Sequence, residues 1–405
     1  MNINISMKHM AQVAYLIAMS IFIGIAVGAF ETLFGKVIVE LSAFRLTHFY
    51  YLVPFLPVAG MIFVYFLYKY GKTSNKGIAL LFLVDQGKED KIPLRLVPFA
   101  LLGTWMTHLF GGSAGREGVA VQIGGTIANW FDRTFKLAQN AGDIIVIGVA
   151  AGFAGLFGTP IAATFFAMEM LEKGKLRYQV MVPTFIAAFV SSSTSEYLGL
   201  KTFKMPLHLH VELDYILLLK LCVIGIIFGF VGASFGRILV KSKHYFAEKI
   251  PNPVIRIGLG GIAVALCIIL LHEGRYAGTG SNLILASFGS EKVYIYDWLL
   301  KMSLTILTVG VGFWGGEVTP LFSIGASLGA VIAHVVGLPI PFAAALGYTS
   351  VFGSATNTLI APIFIGGEIF GFEYTPYFVI TSAVAYVFSR HHSIYPLQII
   401  DNRNL

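Results

Sequence analysis

The chain has 405 residues, of which 56% are hydrophobic and only 12% charged, with 28 Lys and Arg against 21 Asp and Glu. Soluble domains carry about a quarter charged residues, and mean hydropathy here is +0.78, so this chain cannot cover a surface that faces water. A cytosolic enzyme, a disordered segment and a secreted disulfide scaffold are excluded, and the sequence reads as an all-α polytopic protein of the cell membrane.

The first apolar run follows Lys8 and His9 and extends over 10–36. It is longer than a signal-peptide core and lacks a clear small-x-small cleavage site, so it reads as an uncleaved helix. A bilayer-spanning helix needs about 20 apolar residues. Runs of that kind follow at 50–70, 92–110, 178–196, 213–240, 254–272, 296–312 and 375–389. Between them lie Gly-rich runs at 77–84, 117–131, 143–157, 159–171, 320–337, 339–353 and 358–371, too short or too broken for simple spans. Half-helices interrupted by Gly or Pro mark ion or substrate sites, because irregular backbone at membrane depth is tolerated only around a cavity.

The net charge of +7 is spread over connections, not gathered in a stripe, so it speaks for loops and headgroups and not for nucleic acid. One connection holds Lys69, Lys72, Lys76, Lys88, Lys91 and Arg95; others hold Arg133 and Lys136, then Lys173, Lys175 and Arg177, then Lys241, Lys243 and Lys249. The positive-inside rule puts them on the cytoplasmic side. Cys222 and Cys267 sit inside apolar runs and imply no disulfide framework.

The halves resemble each other. IGGTIA at 123–128 matches IGASLG at 324–329, and 148–169 aligns without gaps to 347–368, sharing Ile161/Ile360, Ala162/Ala361 and Phe165/Phe364. Offsets of 201 and 199 residues imply a duplication, with a first transmembrane repeat at 1–200, a second at 201–405 and no soluble domain. Duplicated halves of inverted topology with paired broken segments are the layout of a secondary transporter.

The chemistry concentrates in Gly111-Gly112-Ser113-Ala114-Gly115-Arg116-Glu117-Gly118-Val119. Glycines let backbone N–H groups converge ahead of a helix, and a helix N-terminus is an anion site. A carboxylate there is costly at membrane depth unless donors satisfy it. Glu117 can occupy the anion site when ionised and leave it when protonated, or it can simply cap its helix. The second half supplies Gly312-Phe313-Trp314-Gly315-Gly316-Glu317-Val318-Thr319-Pro320, another glycine-led helix start with an acid, Glu317, and a hydroxyl, Thr319. Two such termini converging near the midplane would build one anion site.

Gly-Arg-Glu-Gly followed by an apolar residue, Gly-Gly-Glu-Val-Thr-Pro, and Tyr395 near the C-terminal end resemble the CLC family of anion channels and transporters. The spellings GGSAGREGVAVQIGG and GGEVTP are similar to its fluoride/proton antiporter branch. The resemblance implies a CLC-like fold and a homodimer with one pore per subunit. It makes Glu117 the gating and proton-coupling carboxylate, Glu317 the extra acid of the fluoride branch and Thr319 its neighbour. Tyr395 becomes the central anion-coordinating tyrosine, with Gly115, Gly118, Val119 and Val318 as flanking backbone donors. The implied activity is fluoride export in exchange for protons; the alternatives are a chloride/proton exchanger or a passive anion channel on the same fold.

Two departures accompany it. The serine-bearing selectivity loop of chloride-type relatives is replaced by Asn75-Lys76-Gly77-Ile78-Ala79, leaving Ile78 and the ring edge of Phe82 as candidate contacts or as packing. The inner proton-relay glutamate that chloride exchangers carry after the position of Glu169 is Met170 here. Glu169 and Glu368 read as structural, and Arg116 as an ion-pair or carbonyl partner.

Gly111-x-Ser113-x-Gly115 also fits the nucleophile-elbow pattern of serine hydrolases, making an intramembrane serine protease a remote alternative. That chemistry needs a histidine base, and His108, His334 and His272 come without a second signature. His391 and His392 read as headgroup-facing. The sequence carries no metal-binding motif or nucleotide loop and implies no cofactor and no enzyme.

Overall fold

A computed structural model describes residues 2–137, 140–289, 291–389 and 392–400, with side chains from residue 14 onward. Its regular structure is helical. Among the described residues, five helices are long and apolar enough to cross a membrane: Ala14–Thr47, Phe49–Tyr70, Tyr215–Lys249, Pro253–Leu270 and Val318–Val336. Their exposed positions include Phe22, Leu219, Phe230 and Leu270. Only lipid accepts such faces, and the protein is a multi-pass membrane protein.

Local chemistry sets the helix ends. Asn140 caps Ala141–Phe157 by accepting from the Gly142 N–H at 2.9 Å. Asp214 caps Tyr215–Lys249 through the Leu217 N–H at 2.6 Å. Asn252 and Pro253 open Pro253–Leu270.

Three sequence expectations change. The first helix runs to Thr47, past 36: Lys36 donates across to the Leu198 carbonyl, at the end of Met181–Tyr197, at 2.7 Å, and its charge does not end the helix. Glu117–Phe135 and Val318–Val336 are continuous helices of 19 residues each, so the runs at 117–131 and 320–337 are not too short or broken. Their glycines are packing surfaces: Gly124 meets the Gly148 backbone of Ala141–Phe157, and Gly325 meets the Gly347 backbone of Ile340–Thr356. Finally, the runs at 92–110, 178–196, 296–312 and 375–389, read as full spans, form helices of 14, 17, 15 and 14 residues, because their end residues lie in turns and a short 3-10 segment.

Helices of equal length recur in the same order in the two halves. Glu117–Phe135, Ala141–Phe157 and Pro160–Met170 have 19, 17 and 11 residues, as do Val318–Val336, Ile340–Thr356 and Ile360–Phe370. The 11-residue pair shows a crossed arrangement. Glu169 accepts from the N–H groups of Leu359, Ile360 and Ala361, at 3.0–3.1 Å, at the start of the opposite helix. Glu368 reciprocates on Ile161 and Ala162 at 3.1 and 2.8 Å. Phe165 and Phe364 stack between them, with centroids 4.8 Å apart and planes at 8°. Each acid thus closes the N-terminus of the other helix. Glu368→Ala removes both acceptors and is expected to cost about 3–6 kcal/mol, the scale of two charge-assisted hydrogen bonds. Thermal unfolding in detergent checks this, and an unchanged midpoint would contradict it.

Candidate functional site

The loops 111–117 and 312–317 meet back to back. Gly115 N–H donates to the Gly316 carbonyl at 2.5 Å and Gly316 N–H returns to Gly115 at 2.7 Å, an isolated antiparallel bridge. A Cβ on either residue would sit under 3 Å from the opposing loop's backbone, so glycine is required for the approach. The bridge presents the start of Val318–Val336 to the side chain of Glu117.

Glu117 is fully buried. Its Oε2 accepts from Thr319 N–H at 2.9 Å and Arg116 N–H at 3.0 Å, and its Oε1 accepts from the Thr319 hydroxyl. Arg116 Nε stands 3.7 Å from Oε1. Thr319 N–H lies in the first turn of its helix, where the helix leaves amides unbonded, so the carboxylate of one half occupies the helix-terminal anion position of the other. Glu117 does not cap its own helix interior; it spans the junction.

The residues on either side of Glu117 open to different cavities. Arg116 lines one of about 580 Å3, together with Ile38, Arg45, Glu273 and Arg275. Gly118 lines another of about 260 Å3, together with Lys76, Ile78, Gln122, Lys243 and Glu317. Lys76 and Lys243 belong to the basic connections, which marks the second cavity as the inner one. A buried carboxylate between two cavities can block an anion when ionised and free its donors when protonated.

The remaining predicted residues divide. Glu317 immediately precedes Val318–Val336 without its side chain capping that helix; at 8% exposure it faces the inner cavity, where Lys243 Nζ lies 3.1 Å from Oε1. Tyr395 is buried, its ring 5.6 Å from that of Phe82. Ile78 is half-buried at the cavity wall, just ahead of Ala79–Asp85. Among the flanking amides, Gly115 N–H is taken by Gly316 and Val119 N–H by the Arg116 carbonyl at 3.2 Å. Val318 is buried at the first helical position. Arg237 bonds His392, and His391 lies outside the described residues.

Ser113 bonds Lys301 Nζ at 2.9 Å and Thr305 at 3.1 Å. Lys301 is fully buried and also donates to the carbonyls of Tyr276 at 3.1 Å and Gly278 at 2.6 Å. The Lys301 amine thus reaches three oxygens, and this pair ties the Glu117 loop to the segment 276–278. Sequence reasoning missed Lys301, whose signal was a lone lysine inside the apolar run at 296–312. It also missed Glu31, buried in the first helix, whose carboxyl oxygens meet no donor among the described residues.

A family model described as voltage gated chloride channel matches residues 59–390. A chloride/fluoride channel protein of Pseudomonas syringae pv. tomato is 33% identical over 95% of this chain and 86% of its own length. The voltage-gated ClC-type chloride channel ClcB of Salmonella typhimurium is 26% identical over 73% of each chain. Among solved structures, the crystal structure of a CLC-type fluoride/proton antiporter superposes with a TM-score of 0.95 at 55% identity, covering 96% of this chain and 98% of that one. A slow cyanobacterial chloride/proton antiporter shares the fold, with a TM-score of 0.79 at 21% identity over 93% and 94%. The reciprocal loop bridge, the buried carboxylate at its centre and these likenesses place the chain in one family: it belongs to the voltage-gated chloride channel, or CLC, family.

Proposed function

We propose that this protein exports fluoride across the cell membrane in exchange for protons. The observation that carries the reading is the Glu117 carboxyl, buried between an outer and an inner cavity and held by Thr319 of the other half. The 55% identity to a crystal structure of a CLC-type fluoride/proton antiporter supports the choice of ions. The activity is transport, not bond chemistry. Residues 1–200 and 201–405 act as inverted repeats, a reading supported by the matched helix lengths and the crossed Glu169 and Glu368 caps.

In the ionised state Glu117 fills the anion position. Protonation removes the charge that makes its hydrogen bonds strong, worth about 1.5–3 kcal/mol each for a charged acceptor. The side chain then releases Thr319 N–H and O–H to fluoride, itself a small anion that accepts the same donors. Glu317 supplies the second titrating carboxyl at the inner cavity, while Tyr395 and Phe82 bound the inner end of the path with Ile78. Gly115, Gly118, Val119 and Val318 form the backbone of the passage. The working unit is a homodimer in which each subunit has its own pore.

Reconstituted protein in fluoride-loaded liposomes tests the reading. Fluoride efflux recorded by electrode is expected to draw protons inward, with chloride carried far more slowly. Equal chloride and fluoride rates would favour an exchanger of chloride; fluoride movement without proton movement would indicate a passive channel, the kind of protein named in Pseudomonas syringae.

A further inference from the structure

Gln122 stands in the wall of the inner cavity at 6% exposure, one helical turn beyond Gly118. Its amide N–H donates to the Gly118 carbonyl at 2.9 Å. Turning the amide round would oppose two carbonyl oxygens, so the orientation is settled. The Oε1 is then directed toward Gly77, where an added Cβ would lie 3.5 Å from it, and it receives no hydrogen bond from the described residues. Buried amide oxygens in folded proteins are nearly always met by a donor.

The donor has to come from the cavity. Fluoride cannot be it, because an anion only accepts. The cations lining the cavity are engaged: Lys76 with Glu89 at 2.6 Å, Lys243 with Glu317 at 3.1 Å, and Arg256 with the carbonyls of Val311 and Ile250 at 3.3 and 3.4 Å. A water O–H fits the space and the chemistry. Glu317 Oε2 lies 3.6 Å from where a Gly118 Cβ would be, so Gln122 and Glu317 flank the same glycine, the residue that follows Glu117.

We propose that Gln122 positions a water molecule that passes protons between Glu317 and Glu117. The inference rests on the antiport reading above. The water donates one O–H to Gln122 Oε1, and its oxygen accepts the proton of the Glu317 carboxyl. As that bond forms, the water's other O–H breaks and its proton goes to the Glu117 carboxylate. One O–H bond forms and one breaks at the water, and one proton moves. Gln122 keeps its own protons throughout and is a positioning residue.

Gln122→Met keeps the length of the side chain and removes the acceptor. Simultaneous fluoride and proton fluxes in liposomes are expected to show protons moved per fluoride falling about tenfold, the scale of one lost hydrogen bond in the relay. Fluoride flux itself should change less than about threefold, since no anion ligand is removed. Gln122→Ser, which shortens the side chain and cannot overfill the cavity, should give the same loss, whereas Gln122→Glu retains the acceptor and should retain coupling. Wild-type coupling in folded Gln122→Met or Gln122→Ser would overturn the proposal, as would loss of fluoride and proton flux in equal measure. Absence of proton movement in the wild type would instead overturn the antiport reading.

Discussion

Replacing Glu117 by Gln is expected to end proton movement. The amide is nearly the same size and can still accept from Thr319 through one oxygen, but it presents an NH2 where Oε2 now accepts from Arg116 N–H and Thr319 N–H. Donor then faces donor, and the group can no longer take up and release a proton. The ratio of protons to fluoride should fall at least about 100-fold, the lower range for removing a positioned acid–base group. Fluoride electrode and internal pH dye, read on the same liposomes, check it. Proton uptake that persisted in Glu117→Gln would sink the coupling role of this residue. Because Arg116 and Glu117 sit 3.7 Å apart, the variant also leaves a partly buried guanidinium without its counter-charge, so its stability should be measured beside its flux.

Gly325→Leu is expected to prevent folding. Gly325 lies where Val318–Val336 crosses Ile340–Thr356, and even a Cβ there would press on the Gly347 carbonyl, a backbone group that cannot swing aside. The opposing Gly347 has the same relation to Gly325, so neither helix has slack. Small residues at such crossings let backbones approach, and in lipid that packing is the main force between helices. Overpacking a well-packed core costs about 1–3 kcal/mol and more where backbone must move, and four added carbons exceed that range. Size-exclusion chromatography in detergent reads the outcome: aggregate is expected, and a monodisperse protein with the wild-type melting temperature would refute the packing account. Gly124→Leu, at the Gly148 crossing in the other half, should behave alike.

These two positions mark what could and could not be read from one dimension. Four of the eight full spans were legible because twenty apolar residues in a row have few other uses: 10–36 corresponds to Ala14–Thr47, 50–70 to Phe49–Tyr70, 213–240 to Tyr215–Lys249 and 254–272 to Pro253–Leu270. The helices Glu117–Phe135 and Val318–Val336 were misjudged because a glycine that breaks a helix and one that admits a neighbouring helix look the same in sequence. Thr319 was a candidate through its place beside Glu317, yet its hydroxyl and N–H belong to Glu117, about half the chain away. Glu317, its sequence neighbour, turns instead to Lys243. Residues two apart at a helix start diverge in direction, and nothing local states which one faces the junction.

Lys301 and Gln122 show the limit from the other side. Neither has a motif, and each acquires its meaning from groups far along the chain: Ser113, Tyr276 and Gly278 for the lysine, Gly77 and the inner cavity for the glutamine. A low charge content of 12% was enough to establish the membrane class, because apolar surface and water exclude each other whatever the fold. It was also enough to single out Glu117 and Glu317, since a carboxyl at membrane depth is expensive wherever it sits. Only the tertiary structure decided that the first is held by donors from the opposite half and the second faces the inner cavity. Hydrogen bonds act over about 3 Å, and which atoms come that close depends on how the two halves pack.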